Sequence, residues 1–377
     1  MSLLLTRAKD AYISACGFHT NRKLVVIESD DWGSIRMPSK HTFDRLISLG
    51  DNPQDDAFLS NDCLESQEDL EALYEVLYSV KDSKGNPAVI TANFATANPN
   101  FEKIDYNKGV YSFEPFFETY NRYYGDNAIL EYIKQTESLR CFKPQLHCRE
   151  HMNVGHWMKS LKEQHADTLL AFDNCMIGVG GSFSENNHFG YMDAFNTSHA
   201  TDDELRQILT DAYGIFEEAF GFPSETFVAS CYVWSKELEE VLNDLGIRFI
   251  QSAAWQNCPI SKKGKKRYKR KIHFTGEKNK LGQLYTVRNC TYEPAYYQNP
   301  TECSDMCFNE IMQSFSNKKP AVICSHRFNY IGSINPQNRT NNLLGLQILL
   351  KRIITEYPEV EFISSPELFA IIESELK

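Results

Sequence analysis

Three short segments combine acidic and imidazole side chains in patterns that suit metal binding or acid–base chemistry. The first is Asp30-Asp31, two adjacent carboxylates that follow the run LVVIES. The second is His147–His151 (HCREH), and the third is Ser325-His326. Neighbouring carboxylates repel each other unless a cation or a proton relieves them, and a histidine can act as a general acid near neutral pH. The three segments are therefore the candidate chemical centres of the chain.

The histidine pair allows two interpretations. His147 and His151 are four residues apart, so both could bind one ion if the segment were helical. The same letters match H-x-x-E-H, the inverted-zincin protease pattern, which requires a helix. Pro144 lies three residues before His147, and PQLHC resembles a strand that runs into a loop. This disfavours the protease, whose distinguishing mark would be an absolute need for Glu150.

Short apolar runs precede all three segments and predict buried β-strands. Continuous apolar runs, unlike alternating ones, are typical of parallel strands that are covered on both faces. The predicted strands are residues 24–29, 88–92, 144–147, 168–172, 226–232, 247–252, 284–288, 321–325 and 360–364.

Helix start signals lie between these strands. Ser66 with Asp69, and Thr201 with Glu204, have the spacing of a capping box, and Ser365-Pro366 predicts the start of a last helix. Alternation of strands and helices predicts a parallel α/β fold, an irregular (β/α) barrel of seven or eight strands that resembles a TIM barrel. In such a barrel the carboxyl ends of the strands carry the chemistry. We expect one domain over residues 1–377, with insertions around 93–140, 176–200 and 256–282.

Composition narrows the class of protein. The chain has 377 residues, a net charge of −11 and an isoelectric point near 5.5, which argues against a general nucleic-acid binder. Its apolar runs are shorter than the roughly 18 residues that span a bilayer. Eleven cysteines without a C-x-x-C pair argue against a disulfide framework or a zinc ribbon and favour a cytoplasmic protein. The sequence does not indicate an oligomeric state.

Taken together, the three segments resemble the polysaccharide deacetylase family, which shares the NodB homology domain and forms carbohydrate esterase family 4. Asp30–Gly33 (DDWG) is similar to the family motif T-F-D-D-G, and His147 and His151 match H-S/T-x-x-H. Ser325-His326 is similar to the closing motif L-x-L-H. The resemblance extends from about residue 24 to 365 and implies a (β/α) barrel, often with seven strands.

The resemblance also implies roles for these residues. Asp31, His147 and His151 would hold one divalent metal, zinc in the first place, with cobalt, iron or nickel as alternatives. Asp30 would be the general base and His326 the general acid. The implied reaction is the removal of an N-acetyl or other acyl group from a sugar, with metal-bound water as the nucleophile.

The chain departs from the family pattern at supporting positions. Cys148 stands where the family has Ser or Thr. The family's third motif contains an arginine that orients the base, and it should fall near residues 227–234, where FVASCYVW contains none. Arg149, Arg288 and Arg327 are the candidates to replace it, and the sequence does not choose among them.

Other residues are candidates for substrate contacts. Trp255 is all that remains of the fourth motif, whose aspartate tunes the catalytic histidine, and Glu293 is a possible replacement for that aspartate. Trp32 and Tyr232 are further candidate substrate-binding residues, together with Arg149, Trp255, Arg288 and Arg327. His188 lies in a loop that could cover the site.

The expected partner is a carbohydrate that can carry phosphate. A cytoplasmic enzyme would meet a nucleotide-linked or lipid-linked sugar rather than a finished wall polymer, and the family resemblance suggests bacterial surface-polysaccharide synthesis. The run Lys262–Lys271 (KKGKKRYKRK) would suit such phosphates, although a solvated loop is the plainer interpretation. Two other functions stay open: a non-catalytic carbohydrate-binding or assembly protein, which the missing arginine favours, and a hydrolase of a small formamide or ureide.

Overall fold

Strands and helices alternate along the chain in the computed structural model, which describes residues 15–179, 190–260 and 267–376. In chain order the strands are β1 (Leu24–Trp32), β2 (Ile90–Ala95), β3 (Ala97–Pro99), β4 (Phe113–Pro115), β5 (Phe142–Cys148), β6 (Thr226–Val228), β7 (Phe249–Ser252), β8 (Trp255–Pro259), β9 (Tyr268–Ile272), β10 (Leu284–Val287), β11 (Cys290–Thr291), β12 (Ala321–His326) and β13 (Glu361–Phe362).

One curled parallel sheet forms the centre of the fold. Its strand order is β10–β7–β6–β5–β2–β1–β12–β11, and β13 is added beside β1. β10 and β11 are two parts of one segment, 284–291, whose first part pairs with β7 and whose last part pairs with β12. This segment therefore connects the two edges of the sheet, one at β7 and the other at β12. The sheet is thus an irregular (β/α) barrel in which β10 and β11 share one of seven strand positions, which confirms the predicted fold class.

Helices pack against the sheet through apolar side chains. The main core contains Ile27 and Ile323 from the strands together with Leu70 and Leu349 from the helices. In chain order the helices are α1 (Lys40–Ser48), α2 (Ala57–Asn61), α3 (Gln67–Ser79), α4 (Phe116–Tyr124), α5 (Ala128–Gln135), α6 (Val154–Lys162), α7 (Ala166–Asp173), α8 (Asp202–Phe220), α9 (Lys236–Asp244), α10 (Pro300–Ser316), α11 (Pro336–Glu356) and α12 (Ser365–Glu375).

The predicted helix starts are mostly confirmed. Ser66 and Thr201 each form a complete capping box, with the N3 carboxylate accepting from the cap backbone N–H. The last helix starts one residue earlier than predicted, because Ser364 is its N-cap and Glu367 completes the box. The predicted strand 168–172 is wrong, because these residues lie in α7. A short apolar run such as TLLAF does not distinguish a buried strand from a buried helix.

Two antiparallel hairpins are added to the barrel. β3 pairs with β4 inside the predicted insertion 93–140, and β8 pairs with β9 where an insertion is expected around 256–282. The predicted insertion 176–200 is described only at 176–179 and 190–200. That the whole chain is one domain stays a prediction. Within the described ranges, no helix is long and apolar enough to cross a membrane.

The interior of the barrel is polar below its mouth. Asn93 Nδ2 donates to Gln251 Oε1 at 2.8 Å, and Gln251 Nε2 donates to Thr226 Oγ1 at 2.8 Å. Arg288 Nε donates to Glu28 Oε2 at 2.6 Å. All five side chains belong to buried residues. Buried hydrogen-bonded networks of this kind rigidify their surroundings, and this one supports the strand ends that carry the candidate site.

Candidate metal and catalytic site

The two adjacent aspartates leave β1 at a backbone irregularity. Successive side chains of a regular strand point to opposite faces, yet Asp30 and Asp31 line one cavity. Asp31 has a φ of +75°, in the left-handed region that a non-glycine residue rarely adopts. The pairing of β1 with β2 also shifts register between Ser29 and Trp32. This bulge turns Asp31 toward the barrel mouth, and such strain often marks a functional site.

Asp31, His147 and His151 meet at the carboxyl ends of β1 and β5. Asp31 Oδ1 is 3.6 Å from His147 Nε2 and 3.5 Å from His151 Nε2, and ligand atoms of the three residues lie within 4.8 Å of one another. A tetrahedral zinc ion with ligand bonds of about 2.0–2.2 Å separates its ligand atoms by roughly 3.3–3.6 Å. The distances from Asp31 to both histidines therefore fit one such ion.

The protonation states of these side chains also suit a cation. His147 Nδ1 lies 2.8 Å from the Val228 carbonyl oxygen and donates to it, so Nε2 is the ring nitrogen that faces the cluster. Among the described residues, buried His147 Nε2 and Asp31 Oδ1 have no hydrogen-bond partner. Burial lowers the pKa of His151 to about 3, so its imidazole is neutral, as a metal ligand must be. Burial opposes ionisation of Asp31, but nearby positive charge, that of the Arg36 guanidinium above all, outweighs burial and holds the pKa of Asp31 well below the usual range.

Asp30 is held by an arginine from the segment that links the barrel ends. Arg288 Nη1 donates to Asp30 Oδ2 and Arg288 Nη2 donates to Asp30 Oδ1, both at 2.7 Å. Asn93 Nδ2 donates to the same Oδ1 at 2.8 Å. Burial alone would raise the pKa of Asp30, but the charge and hydrogen bonds of Arg288 outweigh it and hold the pKa far below the usual range. Asp30 is therefore an ionised and oriented carboxylate.

The structure shows which of the three candidate arginines contacts Asp30. Arg288 contacts Asp30, whereas Arg149 pairs with Glu150 and Asp211. Arg327 is fully buried and pairs with Asp62 and Glu65. None of the three arginines lines the cavity itself. Arg288 pairs with a carboxylate that does line it, Asp30, whereas the partners of Arg149 and Arg327 lie outside it.

His326, at the end of β12, lies beside Asp30 of the neighbouring strand β1 and is paired with Glu293. His326 Nδ1 is 2.6 Å from Glu293 Oε1, and Asn329 Nδ2 donates to Glu293 Oε2 at 2.5 Å. His326 Nε2 lies 4.0 Å from Asp30 Oδ2. Burial lowers the pKa of His326, but Glu293 outweighs burial and raises the pKa well above its usual value. The imidazole is thus protonated at neutral pH, and Glu293 stands where we expected the replacement for the missing aspartate.

These groups share a cavity of about 380 Å³ at the mouth of the barrel. Its wall also contains the hydroxyl-bearing Tyr232, which accepts a hydrogen bond from Arg288 at 3.1 Å. Phe58 packs edge-on against the His326 ring, with the ring centroids 5.5 Å apart. A small polar group can therefore reach the carboxylates and histidines while an apolar wall covers one side.

The HCREH segment is not helical. β5 ends at Cys148, and α6 begins only at Val154. His147 therefore projects from a strand and His151 from the loop that follows. Glu150 accepts from Tyr111 Oη at 2.8 Å and from Arg149, away from the two histidines. This geometry does not have the helix that the inverted-zincin interpretation requires.

Like the three arginines, the predicted substrate-binding residues Trp32 and Trp255 lie outside the cavity lining, so of the six predicted residues Tyr232 alone lines the cavity. Trp32 is in the hydrophobic core, where its Nε1 donates to Ser29 Oγ at 3.0 Å and its ring packs edge-on against Phe142. Trp255 is in β8 of the added hairpin and is half-buried there. Neither residue lines the cavity, because Trp32 fills space between sheet and helices and Trp255 belongs to a hairpin outside the barrel sheet.

Several residues that line the cavity were not predicted from the sequence, among them Arg36, Phe58 and Met192. Arg36 Nη2 donates to Asp31 Oδ2 at 3.0 Å, and its guanidinium lies 4.4 Å from the centroid of the Phe58 ring. Arg36 follows DDWGSI closely enough to be noticed, but its second partner, Asp62, is 26 residues away. His188 and residues 262–266 of the basic run lie outside the described residues.

No protein-family model matches the chain, and no curated protein sequence matches it. A solved putative polysaccharide deacetylase from Mycobacterium smegmatis is similar over 96% of this chain and 93% of its own, at 10% identity and a TM-score of 0.43. A probable polysaccharide deacetylase from Pseudomonas aeruginosa PAO1 is similar over 92% and 90%, at 8% identity and a TM-score of 0.44. A CE4 family pseudoenzyme from Bacillus anthracis is similar over 93% and 66%, at 11% identity and a TM-score of 0.38. Identities and TM-scores this low carry no activity over to this chain.

Proposed function

We propose that the chain is a divergent member of the polysaccharide deacetylase family, a metal-dependent hydrolase that removes an N-acetyl or other acyl group from a sugar. The observation that carries this proposal is the meeting of three groups in one cavity. They are the Asp31–His147–His151 cluster, the ionised Asp30 and the protonated His326. An ion-binding cluster flanked by one base and one acid is what hydrolysis of an unreactive amide requires.

The residues of this chain would divide the reaction as follows. Asp31, His147 and His151 would hold the metal, which when bound polarises the acyl carbonyl and acidifies water. Asp30, oriented by Arg288, would accept a proton from the attacking water. His326, held by Glu293, would donate its proton to the leaving nitrogen, because an amine anion is a poor leaving group.

The test begins with the purified full-length protein. Its metal content is measured by plasma mass spectrometry, before and after reloading with zinc or cobalt. Release of acetate is then measured on N-acetylated sugars, with chelator-treated protein as the control. We expect about one metal per chain and acetate release that requires it. A protein that binds no metal after reloading would contradict the proposal.

Two alternatives are distinguished by the same assay. The non-catalytic interpretation, which the missing arginine favours, predicts no acetate release, whereas the contact of Arg288 with Asp30 supports the catalytic one. A hydrolase of a formamide or ureide would share the metal and fail to release acetate from sugars, while releasing formate or ammonia from those compounds. A cytoplasmic location stays a prediction.

Glu293 should set the alkaline limit of activity. In the Glu293→Gln variant the side chain can still accept from His326 Nδ1, but its charge is lost, so the pKa of His326 should fall toward about 6.5. The acid is active only below its pKa, so we expect the alkaline limb of the kcat–pH profile to move to lower pH. Equal metal content in both proteins is the control. An unmoved alkaline limb would contradict the assignment of His326 as the acid.

The His326–Glu293 pair should also stabilise the folded chain, and this stabilisation should depend on pH. Because the pKa of His326 is raised in the folded chain, its protonated form stabilises the fold at pH values below about 6.5. This contribution is lost as the pH rises through the raised pKa. The Glu293→Gln variant should therefore lose thermal stability chiefly on the acidic side.

The β8–β9 hairpin carries basic side chains that support the proposal of a phosphate-bearing substrate. Asn257 of β8 donates to the carbonyl of Cys231, which lines the cavity, at 3.4 Å. Lys269, Arg270 and Lys271 of β9 are exposed. The hairpin thus lies beside the cavity and adds positive charge there, which would suit a nucleotide-linked or lipid-linked sugar.

Neutralising β9 should weaken binding of such a substrate selectively. We expect a triple substitution of Lys269, Arg270 and Lys271 by Gln to raise the KM for an N-acetyl sugar nucleotide about 3- to 100-fold, since exposed ion pairs contribute roughly 0.2–1 kcal/mol each. The KM for the free sugar should not change. A matched triple substitution to Gln at the helix lysines Lys134, Lys159 and Lys236 is the control. An equal KM for the sugar nucleotide in both triple variants would exclude a role for β9.

A further inference from the structure

Arg36 connects the candidate metal ligand Asp31 to a second buried carboxylate. Its Nη2 donates to Asp31 Oδ2 at 3.0 Å and its Nε donates to Asp62 Oδ2 at 3.2 Å. The side chain of Arg36 is 13% exposed, and those of Asp31 and Asp62 are 2% and 0% exposed. The remaining nitrogen, Nη1, faces the sulfur of Met192 at 3.9 Å, a weak acceptor. Both strong contacts of the guanidinium therefore go to carboxylates.

Asp62 is itself held by a second arginine, Arg327, which follows the end of β12. Arg327 donates to Asp62 Oδ1 from Nε at 3.0 Å and from Nη2 at 2.7 Å. Its Nη1 donates to Glu65 Oε2 at 2.6 Å. Arg327 follows His326 directly in the chain. Charge-assisted hydrogen bonds from two Arg327 nitrogens to one oxygen of Asp62 hold this carboxylate in place, so Asp62 gives Arg36 a fixed support.

We propose that Arg36 is a positioning residue that holds Asp31 as a single-oxygen metal ligand. By occupying Oδ2, Arg36 leaves Oδ1 as the oxygen that faces His147 Nε2 and His151 Nε2, at 3.6 and 3.5 Å. The terminal torsion of an aspartate is soft, so without Arg36 the carboxylate could rotate and present either oxygen. The inference rests on the proposed function, in which Asp31, His147 and His151 hold the ion.

A purely electrostatic role for Arg36 has the opposite consequence. A guanidinium beside a ligand repels a cation, so its removal would tighten metal binding if charge dominated. Asp62 shares its negative charge between Arg36 and Arg327 and so offsets part of the charge of Arg36, and we expect orientation to outweigh repulsion. Removal of Arg36 should therefore weaken metal binding if Arg36 orients Asp31, and should tighten it if charge repulsion dominates.

The experiment compares zinc affinity in the full-length wild type, Arg36→Leu and Arg36→Lys, by competition with a chromophoric chelator. Loss of a group that orients a metal ligand typically weakens affinity 10- to 100-fold, and we expect this for Arg36→Leu. Arg36→Lys keeps the charge but not the two-pronged contact, so it should also bind zinc more weakly than the wild type. The visible spectrum of the cobalt-loaded variants should change, because it reports ligand geometry. Unchanged or tighter zinc binding in both variants would overturn the inference.

Arg339→Leu is the matched control. Arg339 is 14% exposed and pairs with two carboxylates, Asp69 and Glu68, away from the metal ligands, so its loss should leave zinc affinity unchanged. If Arg36→Leu fails to fold, Arg36→Lys decides the outcome alone. A wild type that binds no zinc would refute the proposed function itself, whereas normal zinc binding in the variants would refute only the role of Arg36.

Discussion

Replacing Asp30 by Asn should reduce kcat for an N-acetyl sugar by about 10²- to 10⁴-fold, the usual contribution of a general base. The amide keeps the size of the carboxylate but does not accept a proton at neutral pH. Asp30 is not one of the three clustered metal-type ligands, so metal content should stay near that of the wild type. The measurement is acetate release together with metal analysis on the same sample.

Glu150→Gln is a suitable control for Asp30→Asn. Glu150 is also a buried carboxylate paired with an arginine, Arg149, and it lies next to a candidate metal ligand in the chain. We expect this variant to keep activity within a few-fold of the wild type. A large loss for Glu150→Gln with little loss for Asp30→Asn would contradict the assignment and revive the inverted-zincin interpretation. Thermal melting of both variants separates loss of folding from loss of chemistry.

Replacing His326 by Gln should have an effect that depends on the leaving group. For an N-acetyl sugar we expect kcat to fall about 10²- to 10⁴-fold, because the amine must be protonated as it leaves. For an activated aryl acetate ester the leaving group needs no proton, so the loss should be less than about tenfold. The comparison of the two substrates on one variant therefore reports the role of His326 rather than its structural contribution.

The exposed His19 is a control for the histidine substitution. Its side chain contacts the Gly17 carbonyl, outside the barrel mouth, and His19→Gln should leave both substrates unaffected. Equal losses for the amide and the aryl ester in His326→Gln would show that the variant damages the site in general. That result would remove the general-acid assignment.

The placement of the main site residues was predictable because each follows a recognisable strand. Asp30-Asp31, His147 and His326 all lie at carboxyl ends of barrel strands, and parallel strands bring such ends to one mouth. The helix at 166–173 was not predictable from its apolar run, since burial on two sides looks alike in a strand and in a helix.

The supporting residues were harder to predict because sequence distance hides them. Arg288 and Asp30 are 258 residues apart, and nothing in the composition around Arg288 distinguishes it from Arg149 or Arg327. The contacts of Arg36 were not predicted for the same reason, because its partner Asp62 is 26 residues away in the chain. These contacts depend on how the strands are arranged in the barrel, so a linear sequence motif does not predict them.

The strand segment 284–291 has a consequence for how the molecule would respond to partial opening. Arg288 lies between β10 and β11, where the chain leaves β7 and turns to β12. Proteins open locally as well as globally, and a local opening can leave the rest of the fold intact. Fraying there would release the guanidinium from Asp30 while the rest of the barrel stayed folded. The orientation of Asp30 and the closure of the barrel would then depend on the same segment. The protein could lose activity while most of its fold stayed intact.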